Sequence, residues 1–216
     1  DQPLREIWRM FFANKAAVLG LALWILITLT AFFGPVIYST DPFDMVGAPM
    51  SPPGEELLLG TDYLGRDVLA GIIHGASVTL AIGFSATAVS VIIGITIGVL
   101  AGYYGGWVDN LLMRFTEFFQ VLPDLLFAMV LVALFSPNIY LIVFAIAVVS
   151  WTGIARLTRA EFLKTKEREY VMAERAMGAS NLRIIWAIIL PNSLPSLIVL
   201  IALSVGVAIL FEAALS

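Results

Sequence analysis

The sequence predicts an all-α protein, a polytopic transmembrane bundle with five membrane-spanning helices. Of its 216 residues, 60% are hydrophobic and only 13% are charged. An ordinary soluble domain is about 45–50% apolar and about 25% charged, so this composition argues against a water-soluble enzyme. Charge-free intervals long enough to cross a bilayer, roughly 20 residues, recur along the chain. The chain has no cysteine, which excludes disulfide scaffolds, thiolate metal sites and cysteine nucleophiles.

The first two spans follow from two charge-free intervals. Residues 16–40 contain no charged side chain and predict span one, with its end near Gly34 and Pro35. Residues 68–108 are also free of Asp, Glu, Lys and Arg, but this interval is longer than one crossing needs. We therefore predict a short lead-in helix over 66–75, followed by span two over 77–103.

The next three spans are separated by turn signals. Span three is predicted over 111–135. The sequence Ser136-Pro137-Asn138 is typical of a turn, so span four follows over 139–157. Span five is predicted over 184–211, and its two prolines mark a bend or a late helix start. These prolines are Pro191 and Pro195.

An odd number of spans leads to an expectation about the chain ends. The sequence begins with Asp1 and stops at Ser216 inside an apolar stretch. We expect that both ends are incomplete and that a sixth span lies beyond the given sequence.

The positive charges predict the orientation. The loop after span one carries six acids against the single Arg66, which predicts an extracytoplasmic loop over 39–67. Three of the twelve Lys and Arg lie in the N-terminal tail, and seven lie over 156–183, from the end of span four to the start of span five, which predicts a cytoplasmic loop over 158–183. The net charge of -4 gives no argument for nucleic acid. The seven are Arg156, Arg159, Lys164, Lys166, Arg168, Arg175 and Arg183.

A short amphipathic helix is predicted within the basic loop, over 169–180. Tyr170, Ala173 and Met177 recur at helical spacing, and Gly178 follows them. Such a helix lies on lipid or inserts into a groove of a partner protein. Its apolar stripe is narrow and partly made of alanine, which favours a protein partner.

This segment resembles the cytoplasmic "EAA" loop of ABC-importer permeases. Gly178 is followed by nine residues and then by Ile188-x-Leu190-Pro191, the spacing of that loop. At the Glu-Ala-Ala positions this chain has Met172-Ala173-Glu174, so the acid is displaced. The resemblance implies a helix that docks into the ATP-hydrolysing subunit. Its candidate coupling residues here are Glu169, Tyr170, Ala173, Glu174, Met177, Gly178, Ile188, Leu190 and Pro191.

A second motif, Gly60-Thr61-Asp62-Tyr63-Leu64-Gly65-Arg66-Asp67, precedes span two. It looks like a segment of the dipeptide, oligopeptide and nickel permeases, in the second of their two paired permease subunits. By its residues alone it is a glycine-punctuated turn that leads into a helix. The resemblance implies the type I ABC importer permease fold, with 1–216 as a single transmembrane permease domain. The motif residues are Gly60, Thr61, Asp62, Leu64, Gly65, Arg66 and Asp67.

Glycines at a spacing of four residues mark one face of span two. Gly94, Gly98 and Gly102 allow another helix to approach closely. We favour helix packing over a pore-lining role for this face.

Ionisable residues at membrane depth are functional candidates, because they are costly unless they are paired or hydrated. Arg114 and Glu117 are three residues apart and can pair on one helix face. Asp124 either faces a central cavity or bonds a neighbouring helix. We treat Glu117 and Asp124 as a candidate translocation path. No cluster of His, Asp and Glu has metal-ligand spacing, so no metal site is predicted.

The chain lacks the glycine-rich phosphate-binding loop of P-loop proteins. The resemblance therefore implies a permease subunit, and not an enzyme, of a binding-protein-dependent ABC importer for peptides or nickel complexes in a bacterial or archaeal inner membrane. The implied partners are a homologous permease, two ATPase subunits, a solute-binding protein and membrane lipid, with no nucleic acid. No cofactor is expected in this chain, and ATP and magnesium are expected in its partners. The alternative is a stand-alone channel or ion-coupled carrier that uses Asp124 and Glu117.

Overall fold

The computed structural model describes residues 2–55, 57–135 and 138–215. The expectations about the chain ends, the acid Glu56, and the first two positions of the predicted turn, Ser136 and Pro137, lie outside the described residues. Within them the chain is helical and has no named strand. It divides into two compact units, Asp1–Leu80 and Ala81–Ser216.

The first unit begins with two helices. Helix α1 covers Gln2–Ala13 and was not predicted, whereas α2 covers Lys15–Ile37. Asn14 separates them, because its side chain accepts hydrogen bonds from the N–H groups that open α2. Helix α2 contains Pro35 and continues to Ile37, so the predicted end near Gly34 was slightly early.

Helix α3 covers Val68–Tyr104 without interruption. The predicted division into a lead-in helix and a separate span is therefore wrong. The reason is that this stretch contains no proline, and a glycine inside a helix weakens it without breaking it. At 1.5 Å per residue, 37 residues exceed the roughly 30 Å hydrocarbon core, so the helix extends beyond it.

Span three is broken in the structure. Helix α4 covers Gly106–Gln120 and α5 covers Asp124–Leu134, and the two are bent by 75° at the break. Pro123 lies directly before α5, which accounts for the break, since the residue before a proline is biased away from helical geometry.

The last three helices cover most of the predicted cytoplasmic loop and the spans on either side of it. Helix α6 covers Ile139–Lys166 and extends past the predicted end at 157. Helix α7 covers Glu169–Ala176. Helix α8 covers Asn181–Leu215, so neither of its prolines marks the start, and the segment Ile184–Ile189 within it has π-helical geometry.

Four of these helices, α2, α3, α6 and α8, are long and apolar enough to cross a membrane. The bent pair α4 and α5 makes a fifth span if it is counted as one. The prediction of an all-α bundle with five spans is confirmed. In the second unit, α6 packs against α4, α5 and α8.

Candidate functional site

Helix α7 is attached to the second unit through one apolar side chain. Val171 is fully buried, while the predicted stripe missed it because it lies off the Tyr170, Ala173 and Met177 face. Its burial shows that α7 contributes to the packing of the unit. The cluster that holds Val171 is drawn from α3, α6 and α8 and consists of Val99, Tyr103, Phe162, Ile184, Ile185 and Ile189.

The predicted partner-binding face of α7 is exposed. Tyr170 is 44% exposed and Met177 74% exposed, and Ala173 between them is also exposed. At 3.6 residues per turn, these three lie away from Val171. The chain thus anchors one side of α7 and leaves an apolar side uncovered. Among the predicted acids, Glu169 is exposed and Glu174 lies 3.9 Å from Arg183.

Gly178 ends α7 in a Schellman motif. The N–H of Ala179 donates to the carbonyl of Glu174, and the N–H of Gly178 donates to that of Arg175. Gly178 has φ +84°, the left-handed conformation that this motif requires, and a Cβ there would meet no atom within 4 Å. The glycine is therefore needed for its backbone conformation, and no close neighbour demands it.

Polar contacts join the ends of the three longer helices next to α7, and one of them involves α7 itself. The hydroxyl of Tyr103, at the end of α3, donates to Asn181 Oδ1 over 2.7 Å. The Arg175 guanidinium lies 5.8 Å from the centre of the Tyr103 ring. Lys166, at the end of α6, donates to the carbonyl of Gly102 over 3.0 Å, where a cation suits the helix C-terminus.

The Ile188-x-Leu190-Pro191 segment occupies an irregular part of α8. Pro191 has no N–H, and in a regular α-helix its ring would clash with a carbonyl one turn earlier. The π-helical turns immediately before it relieve this conflict, with the Leu190 N–H bonded to the Ile185 carbonyl. Ile188 and Leu190 pack against the core cluster of Val171.

The second motif, 60–67, forms a turn that is stabilised from within. The Asp62 carboxylate accepts hydrogen bonds from the N–H groups of Leu64 and Arg66 over 2.7 and 2.9 Å. The bonds from Arg66 and Leu64 lower the pKa of Asp62 below its ordinary value. Thr61 is buried, donates to the carbonyl of Ala48 and accepts from the N–H of Ser51.

The end of this motif starts α3. Buried Asp67 accepts from the N–H of Leu69 over 2.8 Å, as an N-cap residue does. Its other oxygen accepts the hydroxyl of Tyr38, a bond that raises the pKa of Tyr38. Gly60 and Gly65 have φ +72° and +79°, and a Cβ at either would collide with backbone of the same loop. Arg66 lies over the Phe43 ring, 5.7 Å from its centre.

The glycine face of α3 lies directly against α6. A Cβ on Gly98 would be 2.5 Å from the carbonyl oxygen of Ala155, and one on Gly102 would be 2.8 Å from that of Arg159. A Cβ on Gly94 would be 2.8 Å from the Trp151 carbonyl. The two backbones approach as closely as glycine permits.

An open groove of about 870 Å³ lies between α4 and α6. Glu117 lines it, whereas Asp124 is exposed at the start of α5 and does not line it. In the described chain no ion pair joins Arg114 and Glu117, so that predicted pairing is wrong. An exposed pair of this kind gains little energy. The lining residues are Asn110, Met113, Thr116, Glu117, Gln120, Gly153, Arg156, Leu157, Arg159 and Ala160.

Comparison with known proteins identifies the family. Residues 94–216 match the family described as binding-protein-dependent transport system inner membrane component. Residues 2–53 match the N-terminal transmembrane domain of oligopeptide transport permease C. The chain belongs to the family of binding-protein-dependent inner membrane components.

Individual relatives cover nearly the whole chain. A di/tripeptide transport system permease protein of Pseudomonas aeruginosa is 41% identical over 99% of this chain and 73% of the relative. An oligopeptide transport system permease protein of Haemophilus influenzae is 38% identical over 98% of this chain and 70% of the relative. A glutathione transport system permease protein of Pectobacterium atrosepticum is 33% identical over 99% and 72%.

Membership in this family confirms several predictions at once. The chain is a permease subunit of an ABC importer and not an enzyme, and ATP hydrolysis resides in separate subunits. It is a multi-pass inner membrane protein. The EAA loop belongs to the family, so the predicted resemblance was correct.

In the described residues, no group of three or more His, Cys, Asp or Glu could hold a metal ion.

Proposed function

We propose that this inner membrane component carries peptides, or a similar small solute such as a nickel complex, across a bacterial or archaeal inner membrane. The names of the relatives support peptides, since they transport dipeptides, tripeptides and oligopeptides. The relative that transports glutathione extends the class to a peptide-like solute. A solute-binding protein delivers the solute from outside.

The working complex pairs this chain with a homologous permease and two ATPase subunits that bind ATP and magnesium. We assign the loop 158–183 to the cytoplasm, because six of the twelve Lys and Arg lie in it and a seventh, Arg156, lies just before it. The loop 39–67 then lies outside. The whole chain acts as one transmembrane permease domain in this complex.

The exposed face of α7 carries the proposal for coupling. Tyr170, Ala173 and Met177 are exposed, while Val171 of the same helix is buried. A helix held firmly on one side and bare and apolar on the other suits docking into a protein groove. Motion of the ATPase would reach α8 and α3 through Val171, and it would reach α3 also through Arg175, which lies over the Tyr103 ring.

The groove between α4 and α6 supports a role in the translocation path. Glu117 and Arg156 line it, and neither takes part in an ion pair among the described residues. Unpaired charges in a membrane-spanning segment must face water or a partner. We propose that this groove faces the path between the two permeases, with Glu117 on its wall and Asp124 at the bend beyond it.

Substitution of Ala173 tests the docking face. Ala173→Glu would bury an unpaired charge at the contact, so we expect at least about thirtyfold weaker binding of the ATPase, equivalent to about 2 kcal/mol. Ala173→Ser is the matched control, because serine is nearly as small and carries no charge. The measurement is copurification of the ATPase beside the membrane abundance of each variant.

Two results would contradict the proposal. The first is an Ala173→Glu complex that stays intact with normal peptide uptake, which would place the docking face elsewhere. The second is uptake driven by a proton gradient in vesicles that contain this chain alone. That result would favour the stand-alone carrier with Glu117 and Asp124 as ion sites.

A further inference from the structure

Helix α4 lies between two interruptions of regular helical geometry. It begins at Gly106, directly after Gly105, and these two glycines have φ values of +55° and +66°. It ends at Gln120, where the chain bends by 75° toward α5. In the described chain, α6 is the helix against which α4 mainly packs. Because both of its ends are interrupted, α4 can tilt without bending another helix.

Two sets of side-chain hydrogen bonds, which we call ties, join α4 to α6, one at each end of α4. In the first turn of α4, Asp109 accepts two hydrogen bonds from the Arg159 guanidinium, over 2.5 and 2.6 Å. In the last turn, Gln120 donates to Thr152 over 3.2 Å and accepts from Arg156 over 3.0 Å. The groove that carries Glu117 lies between these two ties.

The first tie, between Asp109 and Arg159, lies close to α7. Helix α6 ends at Lys166 and α7 begins at Glu169, so Arg159 is about two helical turns before the end of α6. Phe162, between Arg159 and Lys166, packs in the same core cluster as Val171 of α7. A displacement of α7 therefore reaches the turns of α6 that hold Asp109.

The geometry of the Asp109 and Arg159 pair suits a mechanical link. Its two parallel bonds fix orientation as well as distance, and its side chains are only 13% and 33% exposed. By contrast, the pair of Glu161 and Lys164 on the same helix is separated by 3.9 Å, and its lysine is 63% exposed. An exposed pair of that kind transmits little force.

We propose that α4 is a mobile wall of the translocation path and that the Asp109 and Arg159 pair makes it follow the movement of α7. This inference rests on the proposed docking of α7 to an ATPase. Asp109 and Arg159 are positioning residues, because they act on the groove through α4. When α7 moves, the tie pulls the first turn of α4, and the Gly105-Gly106 link absorbs the change in direction.

Transport efficiency in the reconstituted full complex tests this link. Asp109→Asn and Arg159→Gln should each lower the number of peptides imported per ATP hydrolysed by about tenfold, within the usual range of coupling between sites. Exchanging the charges, with Asp109→Arg and Arg159→Asp together, should recover a large part of the loss. Glu161→Gln is the matched control, since it removes a carboxylate from α6 whose ion-pair partner, Lys164, lies on the same helix, and it should leave the ratio unchanged.

A thiol in the groove provides a second measurement that does not disturb the pair. The chain has no cysteine, so Met113→Cys gives a single reactive site on the groove wall of α4. Its rate of reaction with a water-soluble thiol reagent should differ between the nucleotide-free and the vanadate-trapped complex. Adding Asp109→Asn should remove this difference.

Equal thiol reactivity in the two states would overturn the proposal, and so would normal import per ATP in both single variants. These results leave the proposed function intact if the unmodified complex still imports peptides. The absence of ATP-driven peptide uptake by the unmodified complex would instead contradict the proposed function itself.

Discussion

The two motifs recognised in the sequence are built in opposite ways in the structure. In segment 60–67, Thr61, Asp62 and Asp67 all bond to backbone or side chains of the first unit, and its glycines make room for neighbouring backbone. In segment 169–178 one side chain, Val171, is buried, and most of the others are exposed. The first motif therefore makes most of its contacts within its own unit, whereas the second leaves most of its side chains exposed on the surface.

This difference separates two roles that a sequence motif can have. A motif whose carboxylates and threonine hydroxyl bond within its own unit maintains a backbone shape, here the start of α3. A motif with an uncovered apolar face on an anchored helix provides a contact for another protein. The same resemblance thus predicts folding defects when one segment is changed and assembly defects when the other is changed.

The largest expected contrast is in thiol labelling of the two loops from outside the cell. A thiol at Glu55→Cys should react in intact cells with a reagent that cannot cross the membrane, and a thiol at Lys164→Cys should not, because basic loops stay inside. Lys164 is suitable because its side chain is 63% exposed, whereas Lys166 caps α3. Labelling of Lys164→Cys in sealed cells would reverse the assigned orientation.

Matched glycine substitutions should give the next largest contrast. Gly65→Ala adds both a left-handed strain and a collision with the carbonyl of Gly47, which together should cost about 3 kcal/mol. We expect a strong loss of membrane abundance and a lower melting midpoint. Wild-type abundance of this variant would mean that the loop relaxes freely and that segment 60–67 is not a rigid frame.

Gly178→Ala should be milder, because a Cβ there meets no atom within 4 Å. Only the left-handed conformation is penalised, by about 1–2 kcal/mol. The variant should accumulate in the membrane and retain part of its ATPase binding, as judged by copurification. A loss of abundance equal to that of Gly65→Ala would remove the distinction between the two motifs.

The smallest effect should appear only in acid. Because the folded state lowers the pKa of Asp62 below its ordinary value of 3.8, the stabilisation is fully present above that value and is lost as the pH falls through the folded pKa. Hydrogen exchange at Leu64 and Arg66, corrected for intrinsic rates, should therefore accelerate only below about pH 4. Asp62→Asn should remove this acid-dependent step, and a step that persists in the variant would assign it to another carboxyl.

Periodicity and composition predicted much of this architecture from the sequence. Long charge-free intervals gave the spans, and the spacing of Gly94, Gly98 and Gly102 indicated the face that lies against α6. These features were accessible because they depend on residues that are close in sequence.

Features that depend on distant partners were missed. Val171 was not singled out from the sequence, because its burial is created by side chains of three other helices. The pairing of Asp109 with Arg159 joins residues 50 positions apart, and single-sequence patterns carry no information about such contacts. The uninterrupted α3 was divided because the length expected of one crossing was given more weight than the absence of a helix breaker.

The central claim, that α7 is anchored on one side and docks an ATPase with the other, is tested most directly by thiol protection. With no native cysteine, Met177→Cys provides a single thiol on the exposed face, and Lys164→Cys on α6 provides a control outside that face. Reactivity is measured in permeabilised membranes with and without the ATPase subunits. The account predicts that bound ATPase protects Met177→Cys strongly and Lys164→Cys weakly, whereas equal labelling of Met177→Cys in both conditions would contradict it.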